Sequence, residues 1–286
     1  MLKNVDFDRF AFVSDFLPIL QHYIGRVFVI KYGGSVMKDE FLKSKVIEDL
    51  SFLHLLGIKI ILVHGGGPFI NQWLTKLNIK PVFNQGIRVT DESTMEIVEM
   101  VLAGKVNKNL VDLLNNKGIL SIGLSGKDSN LIVASSLFNS SENLVGKIDH
   151  INHQILKILL NNNYIPVIAS IGSGLDGKTY NINADTVAGS LAESLQADKL
   201  ILLTDTPGVM YDINDSSTLI KTLNVDDVQK LQKDLVISGG MIPKVECCIK
   251  ALKANVKSTH IIDGKVQHAL LYELLTLDRI GSMITL

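Results

Sequence analysis

Two apolar runs that each end in a cluster of glycines constrain this chain more than any other feature. The first spans residues 27–35, VFVIKYGGS, and the second spans residues 60–68, IILVHGGGP. Continuous apolar runs are typical of parallel strands that are buried on both faces. Because open α/β sheets bind ligands beyond the carboxyl ends of their strands, the two glycine loops are predicted to lie at a binding edge.

The composition of the two loops favours an anion as the ligand. Glycine tolerates a positive φ and has no Cβ, so successive N–H groups can approach phosphate oxygens closely. Lys31 places a positive charge at the end of the first strand, where burial is costly unless an anion is present. Neither loop has the spacing of a Walker A loop or of Gly-x-Gly-x-x-Gly, and one such loop alone would indicate only a tight turn. Two of them, one with a lysine, indicate phosphoryl transfer.

Apolar runs alternate with helical patterns along the chain, as in proteins with right-handed βαβ crossovers. Strands are expected near residues 27–31, 58–63, 119–124, 165–171, 199–204 and 260–264, and helices near 39–56, 68–77, 91–116, 152–162, 186–195 and 225–232. Residues 130–150 instead have the pattern of short antiparallel strands and turns. This order predicts an α/β fold, a three-layer αβα sandwich with a mainly parallel open sheet and two lobes.

Composition narrows the class of protein further. With 286 residues, 47% hydrophobic and 20% charged, the chain can bury a large sheet under helices and is not expected to be disordered. The net charge of −1 gives no sequence-wide basic field, which argues against nucleic acid or an anionic membrane as the main partner. No apolar run approaches the roughly 20 residues of a membrane span, and no signal or transit peptide is expected.

Cysteine and histidine spacing gives no sign of a protein metal site. The adjacent Cys247 and Cys248 lie in a helical pattern, where neighbouring side chains point about 100° apart, so we expect buried free thiols rather than a disulfide. His64 follows the second strand without an acidic neighbour in the sequence, which favours a structural hydrogen bond over a catalytic base. A Ser-His-Asp hydrolase is not indicated, because Gly-x-Ser-x-Gly is missing.

Arg88 lies in a short loop before a helical pattern that begins with Asp91 and Glu92. A guanidinium group offers two parallel donors to a carboxylate, which lysine does not. The alternative is a surface ion pair with either of the two acids. We favour the binding of a carboxylate ligand.

Three further polar residues are candidates for the same site. Asn181 and Asp185 surround the start of a helix, where Asp185 could be the N-cap, could hold two lysines in place, or could serve a magnesium ion. Lys244 falls in the first turn of a later helix, where it opposes the helix dipole. A bound anion would explain that position.

At these residues the chain resembles the amino acid kinases and, within that family, the N-acetylglutamate kinases of arginine biosynthesis. The likeness covers nearly the whole chain and rests on motifs that occur in the family's order. They are IKYGG at 30–34, VHGGGP at 63–68, GIRVT at 86–90, NINAD at 181–185, LTDTPGV at 203–209 and GGMIPK at 239–244. The resemblance implies transfer of phosphate from ATP to the γ-carboxylate of N-acetyl-L-glutamate.

The resemblance also implies roles for the matching residues. Lys31 and Lys244 would neutralise charge on the transferring phosphoryl group, and Asp185 would orient both lysines. No base is required, because the acceptor carboxylate is already ionised at pH 7. ATP and Mg²⁺ would be the cofactors, with the metal bridging the nucleotide phosphates and few protein ligands.

Substrate and nucleotide would be bound by separate groups of residues. N–H groups of Gly34, Gly66 and Gly67 would cradle the phosphoryl group and the acceptor carboxylate, and Arg88 with Asn181 would hold the α-carboxylate side of N-acetylglutamate. The ATP site would comprise Asp205, Thr206, Pro207, Gly208, Val209, Met210, Val236, Ile237 and Ser238. We accordingly divide the chain into a helical extension (1–25), an N-acetylglutamate lobe (26–184) and an ATP lobe (185–286).

Residues 1–25 have apolar side chains at helical spacing and could pack on their own lobe or on another subunit. The resemblance favours another subunit, in a homohexamer built as a trimer of dimers, with arginine as feedback inhibitor and a PII-type nitrogen sensor as partner. One departure concerns the tail at 276–283, TLDRIGSM, where Arg279 stands in place of the glycine usual in arginine-inhibited members. Scarce arginine and abundant lysine, asparagine and isoleucine fit an AT-rich genome, so we expect a plastid location (chloroplast stroma) if the gene is plastid-encoded and the cytoplasm otherwise.

Two alternatives to this function remain. A kinase of the same family could act on carbamate, aspartate or a uridine nucleotide, but Arg88 and Asn181 favour an acylated amino acid. A sensor of arginine or nucleotide that keeps the fold would have no need of Lys31, Asp185 and Lys244 together.

Overall fold

The computed structural model describes residues 17–19, 21–84, 86–138, 140, 142–276 and 278–286. Most of the extension predicted at 1–25 lies outside these ranges, although residues 17–19 and 21–23 are helical. Tyr23 packs edge-on against Phe28, with ring centroids 5.3 Å apart. Within the described ranges, every helix is too short or too polar to cross a membrane.

Fourteen strands occur in the described ranges, and eight of them form one sheet. The strands are β1 (Val27–Tyr32), β2 (Lys59–His64), β3 (Phe83–Asn84), β4 (Ile87–Arg88), β5 (Ser121–Ser125), β6 (Ile132–Ser136), β7 (Gly146–Ile151), β8 (Ile165–Ala169), β9 (Ile171–Ser173), β10 (Thr179–Asn181), β11 (Lys199–Thr204), β12 (Thr222–Asn224), β13 (Ser258–Asp263) and β14 (Ser282–Thr285). The large sheet has the order β12-β14-β13-β11-β1-β2-β8-β5. Only the pairing of β13 with β14 is antiparallel in it.

The strand order explains why the two glycine loops are neighbours. Strand β1 lies between β2 and β11, parallel to both, and Tyr32 at its end is level with His64 and Leu203. Parallel strands that are level at their carboxyl ends open their loops at one edge of the sheet. The prediction of two buried, parallel strands ending in adjacent glycine loops is therefore confirmed.

Two helical layers cover the sheet, which gives the predicted three-layer α/β fold. The α-helices are α1 (Glu40–Leu55), α2 (Gly67–Lys76), α3 (Glu92–Glu99), α4 (Asn107–Asn115), α5 (Gln154–Asn161), α6 (Ala184–Leu195), α7 (Val225–Lys233), α8 (Ile242–Lys253) and α9 (Ala269–Leu275). Helix α1 contacts α4 and α9, whereas α6 contacts α8 and crosses β1 and β11. Strands such as β1 and β8 are buried along almost all of their length because both of their faces are covered, and apart from Lys31 and Tyr32 at the end of β1 their residues are apolar.

A smaller sheet of order β10-β9-β6-β7 accounts for the change of pattern after residue 130. Its β6 and β7 pair antiparallel, as predicted for residues 130–150. The single strand expected at 165–171 is wrong, because the chain leaves the large sheet after Ala169 and joins the small one at Ile171. Ser170 is the point at which the chain passes from one sheet to the other.

The single helix predicted at 91–116 is interrupted by a π-helical stretch, Met100–Val106, between α3 and α4. A π turn leaves the apolar spacing nearly unchanged, so the sequence pattern does not reveal it. In this stretch Leu102 packs on Gly66, where an added Cβ would come within 2.5 Å of the leucine side chain. The π stretch thus shapes the wall behind the second glycine loop.

Asp49 joins helix α1 to the start of α9. Its carboxylate is 1% exposed and lies 2.6 Å from Nδ1 of His268. Burial raises the pKa of Asp49 to about 6, against the opposing effect of His268 and of backbone N–H groups in α9. A carboxyl group with a raised pKa in the folded state favours folding below its unfolded pKa of 3.8, and this contribution is lost as the pH rises through 6.

The substitution Asp49→Asn should remove this pH dependence, because the amide stays neutral. We expect the free energy of unfolding of the variant minus that of the wild type to be about 1–3 kcal/mol higher at pH 7 than at pH 4. Urea unfolding at the two pH values measures the difference. An equal difference at both would contradict the assignment.

Candidate active site

The candidate site is centred on one carboxylate that contacts two ammonium groups. Asp185 Oδ1 lies 2.8 Å from Nζ of Lys31, and Asp185 Oδ2 lies 2.8 Å from Nζ of Lys244. The three side chains are 9%, 9% and 16% exposed, in the order Asp185, Lys31, Lys244. Burial opposes ionisation of Asp185, but the two ammonium charges outweigh it and lower its pKa to about 2. The cluster therefore carries a net positive charge beside the glycine loops.

Asp185 is available for these contacts because another residue caps its helix. The side chain of Asn183 accepts hydrogen bonds from the N–H groups of Asp185 and Thr186. The alternative that Asp185 is the N-cap of α6 is thus wrong. Both residue types are good caps, and the two lysines decide between them by drawing the Asp185 carboxylate away from the backbone.

The first glycine loop makes room for Lys31. A Cβ at Gly33 would lie 2.8 Å from Nζ of Lys31, so the lysine side chain lies directly over this residue. Gly34 has a φ of +83° and faces the Asp205 carboxylate, which would be 3.6 Å from an added Cβ. The backbone conformation at Gly34 favours glycine, whereas at Gly33 an added Cβ would displace the ammonium group of Lys31.

The second glycine loop leads directly into helix α2. Gly66 is the N-cap and Gly67 begins the helix, Pro68 has no N–H, and the N–H of Phe69 donates to the carbonyl oxygen of Gly66, which leaves the N–H groups of Gly66 and Gly67 without partners within the helix. Such a helix start attracts anions through these donors and the helix dipole. Gly67 has open space around its Cα, as a residue facing a ligand would.

Arg88 is buried, and one of its donors has no protein partner among the described residues. Its Nη2 donates to Oδ1 of Asn71 at 2.5 Å and, more weakly, to the carbonyl oxygen of Gly67 at 3.4 Å. Its guanidinium group stacks on the ring of Phe83 at 4.8 Å. Nη1 is buried without a hydrogen bond to any residue that the structure describes. Burial lowers the pKa of Arg88.

The alternative of a surface ion pair for Arg88 does not match this geometry. Asp91 instead caps α3, where its side chain accepts a hydrogen bond from Thr94 N at 2.8 Å. A buried guanidinium with an unused donor is the arrangement expected of an anion receptor.

Asn181 is connected to Arg88 through a buried threonine. Asn181 Nδ2 donates to Oγ1 of Thr90 at 3.2 Å, and the same hydroxyl donates to the carbonyl oxygen of Arg88 at 3.1 Å. The structure thus brings Arg88 and Asn181 together. Thr90 was part of the recognised GIRVT motif, but its connecting position could not be inferred from the sequence.

His64 has the structural role that the sequence favoured. Its Nδ1 lies 3.0 Å from the carbonyl oxygen of Gly65 and its Nε2 lies 3.1 Å from Nδ2 of Asn107. These contacts define one neutral tautomer, in which Nδ1 donates and Nε2 accepts. Burial lowers the pKa of His64 to about 4, so the ring is uncharged at neutral pH.

A cleft of about 370 Å³ lies beside the loop after β11 and the segment before α8. Of the nine residues predicted to bind ATP, it is lined by Thr206, Gly208, Val209, Met210, Val236, Ile237 and Ser238. Asp205 and Pro207 are not among the lining residues, and Asp205 is directed instead toward Gly34 and Ser35. Five lining residues were missed from the sequence, namely Tyr211, Asp212, Ile213, Leu235 and Met241.

The part of the chain that the structure describes offers no ready-made cage for a metal ion. Among the described residues there is no group of three or more His, Cys, Asp or Glu side chains placed to hold one. Asp185, the acid nearest to the two lysines, has one carboxylate oxygen paired with each of them. A magnesium ion fits this site only if phosphate oxygens supply most of its ligands.

The sequence model of the amino acid kinase family matches residues 26–263. The chain belongs to the amino acid kinase family. This kinase is 59% identical over 287 residues to acetylglutamate kinase from the red alga Gracilaria tenuistipitata var. liui, with 100% of both chains covered. It is 52% identical to acetylglutamate kinase from Thermosynechococcus vestitus, covering 98% of this chain and 95% of that one.

Among solved structures, this kinase resembles N-acetylglutamate synthase from Neisseria gonorrhoeae, determined with coenzyme A and N-acetyl-glutamate. The TM-score is 0.85 at 25% identity, and the match covers 97% of this chain. This chain spans only 63% of the length of the synthase chain. The likeness therefore concerns the kinase fold and not the whole of the synthase.

The substitution Asp185→Asn should destabilise this kinase, because it leaves two buried ammonium groups facing each other. We expect a loss of roughly 3 kcal/mol in the free energy of unfolding. Sulfate should raise the Tm of the variant more than that of the wild type by supplying a counterion. Denaturant and thermal unfolding measure both effects.

Asp149→Asn is the matched control, because Asp149 is an exposed carboxylate that accepts a hydrogen bond from Ser135. It should change stability by no more than about 0.5 kcal/mol. Equal stability of Asp185→Asn and the wild type would show that the ion pairs do not hold the site.

Proposed function

We propose that this chain is an acetylglutamate kinase, which transfers phosphate from ATP to the γ-carboxylate of N-acetyl-L-glutamate in arginine biosynthesis. The observation that carries the proposal is the 59% identity, over all of both chains, to a protein of that name. The cluster of Lys31, Asp185 and Lys244 beside two glycine loops supports it, because this is the charge arrangement that a transferring phosphoryl group requires.

The lysines stabilise the reaction electrostatically. Lys31 and Lys244 lie against one carboxylate and so are held before any substrate binds, and each can offer its remaining N–H bonds to phosphoryl oxygens. Asp185 orients both lysines. The N–H groups of Gly34, Gly66 and Gly67 hold the phosphoryl group and the acceptor carboxylate.

The acceptor is oriented from its other end. The unused Nη1 of Arg88 donates to the α-carboxylate of N-acetylglutamate. Asn181, which donates to the hydroxyl of Thr90, binds the same end of the substrate. The fixed position of Arg88 between Asn71 and Phe83 supports this assignment, because a guanidinium that is already oriented loses little entropy when it binds.

The cleft that includes Thr206, Met210 and Ser238 accommodates ATP. The rest of the proposed nucleotide site is Asp205, Pro207, Gly208, Val209, Val236 and Ile237. Mg²⁺ neutralises charge on the nucleotide phosphates when it is bound. Residues 26–184 then form the N-acetylglutamate lobe and residues 185–286 the ATP lobe.

Catalysis in this arrangement needs no general base. The acceptor carboxylate is ionised at neutral pH, so no proton is removed when its oxygen attacks the γ-phosphorus of ATP in line and ADP leaves. His64 is neutral and bonded at both ring nitrogens, and Asp185 remains ionised. The protein therefore contributes positioning and positive charge.

Regulation and assembly extend the same proposal. We place the extension at 1–25 between subunits of a homohexamer, a trimer of dimers, with arginine as feedback inhibitor and a PII-type sensor as partner. Exposed Leu17 and Ile24 at the end of the extension support contact with another subunit.

Relatives from a red alga and from Thermosynechococcus support a plastid location, or the cytoplasm if the source is bacterial.

An ADP-coupled assay with N-acetylglutamate, glutamate, aspartate and carbamate tests the function, and we expect turnover with N-acetylglutamate alone. Lys31→Ala should lower kcat by about 100- to 1,000-fold, because one charge that stabilises the transition state is lost. Lys59→Ala is the control, since Lys59 begins β2 at the opposite end of the strand and bonds Asn161. Turnover with aspartate or carbamate only, or an active Lys31→Ala, would refute the proposal.

Arg279 allows a test of the arginine response. Its Nε lies 3.9 Å from Oε1 of the buried Glu273, so this carboxylate already faces a guanidinium group. The substitution Arg279→Gly should lower the arginine concentration for half-inhibition several-fold, because it removes the guanidinium group beside a carboxylate whose other contacts are His260 and the N–H groups of Ile280 and Gly281. Arginine dose–response curves of the variant and the wild type, with KM for N-acetylglutamate measured in parallel, test this expectation. An unchanged curve would show that Arg279 does not compete with free arginine for Glu273.

A further inference from the structure

Cys247 lies where helices α6 and α8 meet, one helical turn from the ion pair of Asp185 with Lys244. On α8, Cys247 follows Lys244 by three residues, and on α6, Gly189 follows Asp185 by four. Residues at these spacings share one face of a helix. The contact between Cys247 and Gly189 therefore lies directly behind the ion pair.

The thiol of Cys247 contacts the backbone that carries the central carboxylate. Its Sγ donates to the carbonyl oxygen of Asp185 at 3.1 Å, and the sulfur also interacts with the backbone N–H of Gly189. The carbonyl of Asp185 and the N–H of Gly189 are four residues apart, which is the pair that an α-helix joins by its own hydrogen bond. The thiol thus lies against the first turn of α6 at the level of Asp185.

Only a residue without a side chain allows this approach at position 189. A Cβ on Gly189 would lie 2.6 Å from Sγ of Cys247, far inside the usual contact distance of about 3.5–4.0 Å. The flanking Ala188 and Ala192 are small and fully buried. Small residues on α6 therefore let α8 approach closely at the turn that follows the ion pair on both helices.

We infer that Cys247 is a positioning residue. Its contact with Gly189 sets the distance between α6 and α8, and at this distance Lys244 reaches the Asp185 carboxylate that Lys31 also contacts. The inference rests on the proposed phosphoryl transfer. Cys247 takes no part in the chemistry, because burial keeps its thiol protonated by raising its pKa. Its neighbour Cys248 is buried on a different side of α8, where it interacts with Thr259.

A double-mutant cycle between the two positions tests this role. Gly189→Ala should lower kcat about 10-fold, because the new Cβ displaces α8, while KM for both substrates stays within about 2-fold. Cys247→Ala should lower kcat by about 3-fold, since it removes the sulfur and its hydrogen bond. The double variant should recover to within about 3-fold of the wild type, because removal of the sulfur gives the Cβ room.

Two controls separate positioning from general stability. Gly104→Ala adds a Cβ in the π stretch with nothing within 4 Å of it, and should leave kcat unchanged. Cys248→Ala should lower the Tm without lowering kcat, because it removes a buried thiol whose hydrogen-bond partner is Thr259 rather than the backbone of α6. If Gly189→Ala does not fold, two variants of Cys247 test the positioning role. Cys247→Ser keeps a hydrogen-bond donor and should keep kcat, whereas the bulkier side chain of Cys247→Val should lower kcat.

The outcomes distinguish this inference from the proposed function. A wild-type protein without kinase activity refutes the function itself. If the wild type is active, two results overturn only the positioning role. One is an unchanged kcat in Gly189→Ala, and the other is a loss of kcat in Gly189→Ala that the double variant does not recover.

Discussion

The candidate site depends on the Asp185 carboxylate shared by two ammonium groups. Lys31 comes from a central strand and Lys244 from a helix more than two hundred residues later, and each charge would be costly to bury alone. Asp185 offsets one of them and holds both at 2.8 Å. One positive charge remains in excess, which is the condition for attracting a phosphoryl group and stabilising it as its charge develops.

The large sheet determines where this excess charge meets the substrates. Strands β1 and β2 are level at their carboxyl ends, so the two glycine loops face one space. Arg88 is brought to that space by the short β3–β4 hairpin and is oriented there by Asn71. In the proposed function, the acceptor is bound by one set of groups at the moving phosphate and by another at its far end, which would limit the length of molecule that fits.

Much of this could be predicted from the sequence. Apolar runs before glycines identify β1 and β2 because a buried strand and an open loop each demand a particular residue type. The partners of Arg88 and His64 could not be predicted, since Asn71 and Asn107 reach them only through tertiary packing. The cap of α6 was ambiguous because Asn183 and Asp185 both suit the position, and the ion pairs that decide between them come from distant parts of the chain.

The remaining differences have similar causes. Leu235 lines the cleft beside the loop after β11 with a positive φ of 58°, a conformation that its residue type does not signal. The π stretch and the change of sheet at Ser170 both leave the apolar pattern of the sequence nearly continuous, so that pattern does not reveal them.

The place of β1 between β2 and β11 also governs how the molecule can form. The chain near β1 bonds the chain before β11 across 171 residues, as in the contact of Val27 with Asp198. During synthesis the ladder on that side of β1 stays open until β11 has emerged, and closing so long a loop is slow. A cut between residues 184 and 185, the boundary of the two proposed lobes, would leave the β11-facing edge of β1 unpaired, so the segments on either side are halves of one cooperative folding unit.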